Sequence, residues 1–169
     1  MSCSYTDCKN ELNMYPKYCF IHTLLLHNVF ISKSNIKNAG YGLFAGPKGF
    51  KKNDIIGEYS SNENTTTQGE IKKHCKLKDD TCWTYVLCES DKIDDDVVCW
   101  NDTNKLNSSY VRYINDAYNT KYKNNSIFYV KKELKTDKEI NKRAVVIASK
   151  NIKPYEEIFV SYGNYYWLK

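Results

Sequence analysis

Residues 35–45 read NIKNAGYGLFA and place two glycines around a tyrosine, as Gly40-Tyr41-Gly42. Glycine can adopt backbone dihedrals that are forbidden to other residues, and it lets the chain lie close to a bound molecule. A Gly-x-Gly pair alone is more often an ordinary turn, and this one lacks the strand-to-helix setting of a dinucleotide site. Two later segments complete a pattern with this glycine pair: Arg112–Asp116 reads RYIND, and Glu156–Gly163 reads EEIFVSYG. We call these the glycine, central and late segments.

The chain has 169 residues, the size of one ordinary domain. With 41% hydrophobic and 27% charged residues, its composition is globular rather than disordered. Short runs rich in β-branched and aromatic residues alternate with polar turns, which predicts many short strands. The runs are Val29–Ile31, Asp54–Tyr59, Val97–Trp100, Ser126–Val130 and Arg143–Ala148. We therefore expect a mainly β fold with short helices.

Polar stretches separate these runs. The best helical window between Ser60 and Lys78 is Gln68–Lys76. Two further stretches, Asn119–Asn125 and Lys131–Lys142, are rich in Asn and Lys and predict exposed loops. No repeat period is visible, which excludes solenoids and propellers.

The net charge of +5 is spread along the chain without a long basic run, so direct nucleic-acid binding is disfavoured. No apolar run reaches the ~18 residues of a membrane span, and the segment after Met1 lacks the pattern of a secretory signal. We expect an intracellular protein without membrane association, in the nucleus or the cytoplasm. Heavy use of Asn, Lys, Ile and Tyr is typical of an AT-rich coding sequence, such as that of some large DNA viruses.

The first 27 residues carry a C-x4-C-x10-C-x2-H array, formed by Cys3, Cys8, Cys19 and His22. Zinc prefers four thiolate or imidazole ligands in a tetrahedron, and two ligand pairs joined by a loop can supply them. We interpret residues 1–27 as a structural zinc knuckle, with His27 as an alternative ligand. The other interpretation is a set of free thiols, with His22 at the start of an apolar helix. Four further cysteines lack the paired spacing of metal ligands, and we expect them to be thiols: Cys75, Cys82, Cys88 and Cys99.

In this order, the glycine, central and late segments, followed by Tyr166-Trp167, resemble SET-domain protein lysine methyltransferases. The resemblance covers about Val29 to Trp167. It implies a SET (β-clip) fold over residues 28–169, with the carboxyl-terminal segment threaded through a loop near Asn115. It also implies S-adenosylmethionine as the cofactor and transfer of methyl groups to a lysine of a protein, with a histone or histone-like tail as the expected substrate.

The resemblance assigns the cofactor to residues of all three segments. Lys37 and the Gly40-Tyr41-Gly42 backbone would hold its methionine and ribose portions, and Asn115 its amino-acid or adenine end. Trp167 would cover the adenine. Arg112 matches the family pattern, although a short buried turn with a salt bridge is the alternative interpretation.

Position 116 departs from the family, because Asp116 stands where histidine is usual. The family's adenine contact there is made largely by the backbone, so the substitution need not abolish binding. Because Asp116 replaces the usual histidine, the main alternative is a SET-like binding or scaffold module without catalytic activity. A third option makes the zinc knuckle a docking element for DNA or protein.

Tyr162 takes the position of the family's catalytic tyrosine, whose hydroxyl lies beside the departing methyl group. Tyr85 is the candidate for a second wall of the lysine channel, with Trp83 behind it. The attacking amine must be neutral, although free lysine has a pKa of ~10.4. An aromatic channel and a cationic cofactor both lower that pKa. Most of the rate would therefore come from alignment of the reacting atoms.

The family position that governs the number of methyl groups added is Val160, which supplies no hydroxyl. In some relatives an aromatic after the central segment fills this space, and the best match is Phe128. A phenylalanine in the channel predicts di- or trimethylation. If the alignment with the family were shifted by one residue, Tyr129 would take this position and the prediction would be reversed.

An acidic stretch, Glu89–Asp96, lies where the family builds its substrate groove. It would either attract a basic peptide or form a solvated loop.

Overall fold

The computed structural model describes residues 2–59, 65–67, 86–88, 98–101, 109–136, 139–163 and 167. Within these residues the secondary structure consists of one α-helix, eight strands and a short 3₁₀-helix at Tyr110–Tyr113. Helix α1 is Phe20–His27, and the strands are β1 (Val29–Lys33), β2 (Tyr41–Ala45), β3 (Ile55–Glu58), β4 (Thr65–Thr67), β5 (Val86–Cys88), β6 (Val98–Asn101), β7 (Ser126–Thr136) and β8 (Glu139–Ala148). The expected mainly β fold is confirmed.

The strands form three small antiparallel sheets. Their orders are β1-β2, β3-β8-β7 and β4-β6-β5. In β1, Val29 and Ile31 are buried while Ser32 and Lys33 are exposed. Residues 144–146 of the central strand β8 are all buried. A strand with a continuous apolar run is covered on both faces.

One hydrophobic core joins two of these sheets to the late segment. Its fully buried members include Val29 and Leu43 from the first sheet, Val146 from β8 and Ile158 from the late segment. Burying each such side chain stabilises the fold by roughly 1.5–3 kcal/mol. The carboxyl-terminal part of the chain is therefore an integral part of the core.

The late segment runs between two other stretches of backbone and is bonded to both. On one side, the Val160 N–H donates to the Asn115 carbonyl at 3.0 Å. On the other side, the Ser126 N–H donates to the Phe159 carbonyl at 3.0 Å, and the Asn125 Oδ1 accepts from the Phe159 N–H at 2.8 Å. This is the threaded arrangement expected near Asn115.

The expectation of a loop at Lys131–Lys142 is wrong. Strands β7 and β8 pair across most of this range, from Lys131 opposite Arg143 to Leu134 opposite Ile140. The antiparallel ladder is made by backbone groups, so a polar sequence does not prevent it. In contrast, 119–125 contains turns and no strand, as expected, with Lys121 and Lys123 exposed, but Asn125 is buried at the end of this loop. The helix expected at Gln68–Lys76 lies outside the described residues.

The amino-terminal segment is connected to the core through Tyr15. The Tyr15 hydroxyl accepts from the Ile31 N–H at 3.0 Å, and the Tyr113 hydroxyl donates to the Met14 carbonyl at 2.9 Å. Tyr15 is itself buried in the main core. Among the described residues, the helical segments are too short or too polar to cross a membrane.

Candidate functional site

The glycine segment begins in the turn between β1 and β2. The Ser34 N–H donates to the Gly40 carbonyl at 2.9 Å, and Gly40 has a φ of 73°. A Cβ built on Gly40 would meet nothing within 4 Å. Lys37 and Tyr41 are exposed beside it. The turn thus presents open backbone on the side where a ligand could lie.

Gly42 packs closely against the late segment. A Cβ at this position would lie 2.2 Å from the Glu157 Oε1 and 3.3 Å from the Asn115 Nδ2. The absence of a side chain at Gly42 is therefore what allows the glycine, central and late segments to meet.

Glu157 is a functional candidate that the sequence analysis missed. Its side chain is only 2% exposed. Oε1 accepts from the Ser34 hydroxyl and Oε2 from the Asn35 N–H, both at 2.6 Å. A buried carboxylate is tolerated only where donors compensate its lost hydration, and these two do so. The signal in the sequence was an acidic residue directly before the apolar run at 158–160.

Asn115 connects the central segment to the other two. Its Nδ2 donates to the Tyr41 carbonyl at 2.9 Å and lies 3.5 Å from the Glu157 Oε1. The side chain is partly exposed. Arg112, in the 3₁₀-helix, is also partly exposed. The amide of Asn115 and the open backbone at Gly40 can hydrogen-bond a polar ligand at this junction.

Asp116 is buried and accepts four hydrogen bonds. Oδ1 accepts from the Tyr118 N–H at 3.0 Å and from the Asn124 amide at 3.1 Å. Oδ2 accepts from the Tyr162 N–H at 2.8 Å and from the Trp167 indole N–H at 3.0 Å. The carboxylate therefore links the central segment to the late segment and to Trp167.

Tyr162 is fixed at both its backbone and its hydroxyl. The hydroxyl donates to the Ile114 carbonyl at 2.7 Å. The ring is nearly parallel to that of Trp167, with centroids 6.3 Å apart and an interplanar angle of 6°. Trp167 also stacks on Tyr118, with centroids 5.2 Å apart. The bond to Ile114 holds the hydroxyl in a fixed position.

Two of the predicted channel residues, Val160 and Phe128, belong to or pack against the main core, against which Tyr162 also packs. Val160 is buried, and Phe128 packs edge to face on Tyr59 with centroids 5.4 Å apart. Tyr59 is a second residue that the sequence analysis missed; it ended a predicted strand without a role. Tyr129 is 53% exposed, away from this cluster. The predicted channel residues Trp83 and Tyr85 and the acidic stretch Glu89–Asp96 lie outside the described residues.

A second candidate site lies at the amino end. The side-chain ligand atoms of Cys3, Cys8, Cys19 and His22 all lie within 4.8 Å of one another. Zinc bonds of ~2.3 Å to sulfur and ~2.0–2.1 Å to nitrogen give a tetrahedron with edges of about 3.6–3.8 Å. The observed contacts are 3.4 Å from Cys3 Sγ to His22 Nδ1 and 3.9 Å from Cys8 Sγ to Cys19 Sγ. The geometry fits a closed tetrahedral site.

Helix α1 and its entry loop arrange this cluster. Cys19 is the N-cap of α1, and His22 follows within the first turn. The backbone N–H of His22 and the Asn10 amide lower the pKa of the Cys19 thiol to about 6. This favours the thiolate, the form that binds metal. His27 lies at the other end of α1, 4.8 Å from the Tyr110 ring, and is not part of the cluster.

The chain matches the SET domain family over residues 40–163. No curated protein sequence matches it significantly. Among solved structures, ctPRC2 in an autoinhibited conformation bound to S-adenosylmethionine is similar, with 22% identity, a TM-score of 0.56 and 82% of this chain covered. Apo ctPRC2 with mutations in Ezh2 gives 21% identity, a TM-score of 0.55 and 80% coverage. This chain spans 15% of the length of each of those chains. At these identities the likeness shows the fold.

Proposed function

Because the chain belongs to the SET-domain family, we propose that it is an S-adenosylmethionine-dependent protein lysine N-methyltransferase. The observation that carries the proposal is the contact of three segments distant in sequence. Asn115 of the central segment donates to Tyr41 of the glycine segment and approaches Glu157 of the late segment. The similar ctPRC2 structure that is bound to S-adenosylmethionine supports the choice of cofactor.

The cofactor would bind across this junction. Its sulfonium supplies an activated methyl group, and the residues of this chain bind and orient it. The proposed cofactor-binding residues are Lys37, Gly40, Tyr41, Gly42, Arg112, Asn115, Asp116 and Trp167. The open backbone at Gly40 and the partly exposed amide of Asn115 support this assignment.

Tyr162 would be the catalytic tyrosine. Its hydroxyl donates to the Ile114 carbonyl at 2.7 Å, which fixes the position of the oxygen that would face the lysine amine and the methyl group. Tyr85 would form the opposite wall, with Trp83 behind it. A fixed oxygen aligns the amine with the methyl carbon, and alignment of this kind can contribute ~7–11 kcal/mol to lowering a barrier.

The channel favours the addition of two or three methyl groups. Phe128 faces the core beside Tyr59, whereas Tyr129 is largely exposed. This difference supports Phe128 over the one-residue shift. With Val160 and Phe128, neither channel position supplies a hydroxyl that would hold the amine and leave too little room for a methylated one.

The substrate would be a lysine in a basic peptide such as a histone or histone-like tail. The acidic stretch Glu89–Asp96 supports this, because its charge complements that of a basic peptide. Residues 1–27 would be a structural zinc knuckle attached to a SET domain at residues 28–169. The four ligand atoms leave no coordination position for a substrate.

Isothermal titration of the purified chain with S-adenosylmethionine tests the cofactor, and we expect saturable binding. Incubation with arrayed histones and other cellular proteins, read by mass spectrometry, tests the reaction, and we expect added methyl groups on lysine. The matched control is Tyr162→Phe, which should bind cofactor but lose methylation. Absence of cofactor binding would overturn the proposal. Binding without methylation of any protein would instead identify a SET-like binding or scaffold module.

A further inference from the structure

The carboxylate of Asp116 is saturated by four neutral donors. Its exposed fraction is 7%. A carboxylate offers about four lone-pair sites, and all of them have a partner here. Two donors belong to the turn that follows the central segment, and two belong to the carboxyl-terminal part of the chain. The side chain therefore joins two parts of the molecule.

Trp167 depends on this carboxylate for its orientation. Its indole N–H donates to the Asp116 Oδ2 at 3.0 Å, while the ring stacks on Tyr118 with an interplanar angle of 18°. The indole is still 40% exposed, so burial alone holds it weakly. A stacked pair of rings adds only a small stabilisation beyond its buried area. A charge-assisted hydrogen bond adds direction to that contact.

The same Oδ2 accepts from the backbone of Tyr162 at 2.8 Å. The carboxylate thus sets the position of Trp167 and Tyr162 together, and the two rings lie nearly parallel. A neutral imidazole has only one acceptor nitrogen. It therefore cannot replace a carboxylate whose Oδ2 accepts from both Tyr162 and Trp167 and whose Oδ1 accepts two further hydrogen bonds. Asp116 and Trp167 are therefore a matched pair.

We infer that Asp116 is a positioning residue that holds Trp167 beside Tyr162, and that this pair closes the cofactor site. The cofactor role rests on the proposed function, whereas the pairing of the two side chains does not. A histidine at position 116, although usual in the family, could not hold Trp167 and the Tyr162 backbone together in this chain.

Fluorine-19 NMR of the full chain labelled with 5-fluorotryptophan tests the pairing. The Trp167 resonance is identified by its loss in Trp167→Phe. In Asp116→Asn and Asp116→His we expect this resonance to move toward the position of free 5-fluorotryptophan and to narrow. An unchanged Trp167 resonance in both variants would overturn the inference.

Titration with S-adenosylmethionine tests closure of the site. We expect Asp116→Asn and Trp167→Phe each to raise the dissociation constant about tenfold, the equivalent of one lost hydrogen bond. The double variant should bind no more weakly than either single variant, because the two residues act as a unit. The inference that the pair closes the cofactor site would be overturned if the two substitutions weakened binding additively in the double variant. It would also be overturned if Asp116→Asn bound S-adenosylmethionine with wild-type affinity.

A control separates positioning from general destabilisation of the turn. Asn124→Ala removes a donor from Oδ1 without touching Trp167. We expect a lower melting temperature with an unchanged Trp167 resonance and an unchanged dissociation constant. Equal effects of Asn124→Ala and Asp116→Asn on all three readouts would overturn the positioning role. If the wild-type chain binds no cofactor, the proposed function and the closure fail together, and the NMR result still decides the pairing.

Discussion

The Glu157 carboxylate occupies the space that a side chain at Gly42 would fill, since a Cβ there would lie 2.2 Å from Oε1. Glu157 cannot easily move away, because Ser34 and Asn35 each donate to it at 2.6 Å. The glycine between Tyr41 and Leu43 is thus required by a buried acid more than a hundred residues later in the chain.

Gly42→Ala should destabilise the protein by about 1–3 kcal/mol, because an overpacked methyl group must displace the bound carboxylate. Urea denaturation followed by fluorescence measures this change in the free energy of unfolding. The comparison variant is Gly40→Ala, where a Cβ has open space and only the φ of 73° is unfavourable. Its cost should be about 1–2 kcal/mol with the Glu157 contacts intact. Wild-type stability of Gly42→Ala would contradict the packing argument.

Glu157→Gln should also destabilise the protein, by about 1.5–3 kcal/mol, because one oxygen becomes an amide that cannot accept from Ser34 or Asn35. The measurement is again the free energy of unfolding in urea. Glu11→Gln provides a control at an exposed carboxylate and should stay within ~0.5 kcal/mol of wild type. Equal stabilities of the two variants would show that Glu157 does not connect the segments.

Elemental analysis should find about one zinc per chain, lost in Cys8→Ser or Cys19→Ser. Cys75→Ser, at a cysteine without the spacing of a metal ligand, should keep the metal.

The pKa of Cys19 is lowered to about 6, so its thiolate is favoured above that pH and is protonated below it. The pKa of Cys8 is instead raised by burial and by its cysteine neighbours, so zinc affinity should already decrease at higher pH and should decrease more steeply once the pH passes below about 6. A metal-free chain with an ordered amino end would refute the zinc knuckle.

Tyr162→Phe should depress turnover by ~100-fold or more while changing cofactor affinity little, because the hydroxyl acts where charge is redistributed in the transition state. Turnover is measured by methyl incorporation and affinity by titration. Tyr129→Phe removes a hydroxyl from an exposed ring and should leave both unchanged. A fully active Tyr162→Phe variant would exclude Tyr162 as the catalytic tyrosine.

Phe128→Tyr should shift the product toward monomethyl-lysine, because a new hydroxyl in the channel would hold a water or the amine. Mass spectrometry of the product over long reaction times shows the distribution. The wild-type enzyme should reach di- or trimethyl-lysine, and Tyr129→Phe should match it. Only monomethylated product from the wild type would show that the channel assignment is wrong.

Local sequence patterns predicted the positions of five of the eight strands that the structure describes and missed β2, β4 and β5. The apolar runs at Val29–Ile31 and Ser126–Val130 lie in β1 and β7, because β-branched and aromatic residues favour strands. The hairpin at Lys131–Lys142 escaped prediction. Its pairing is made by backbone groups, which leave little trace in a polar sequence.

The sequence by itself determined the family, through three short segments in a set order, and the ligand spacing of Cys3, Cys8, Cys19 and His22. Only the tertiary structure decided what Glu157 and Asp116 contact, and that Phe128 rather than Tyr129 faces the core. The physical reason is distance along the chain. A buried carboxylate needs donors, but the identity of those donors depends on which loops the packed sheets bring to it.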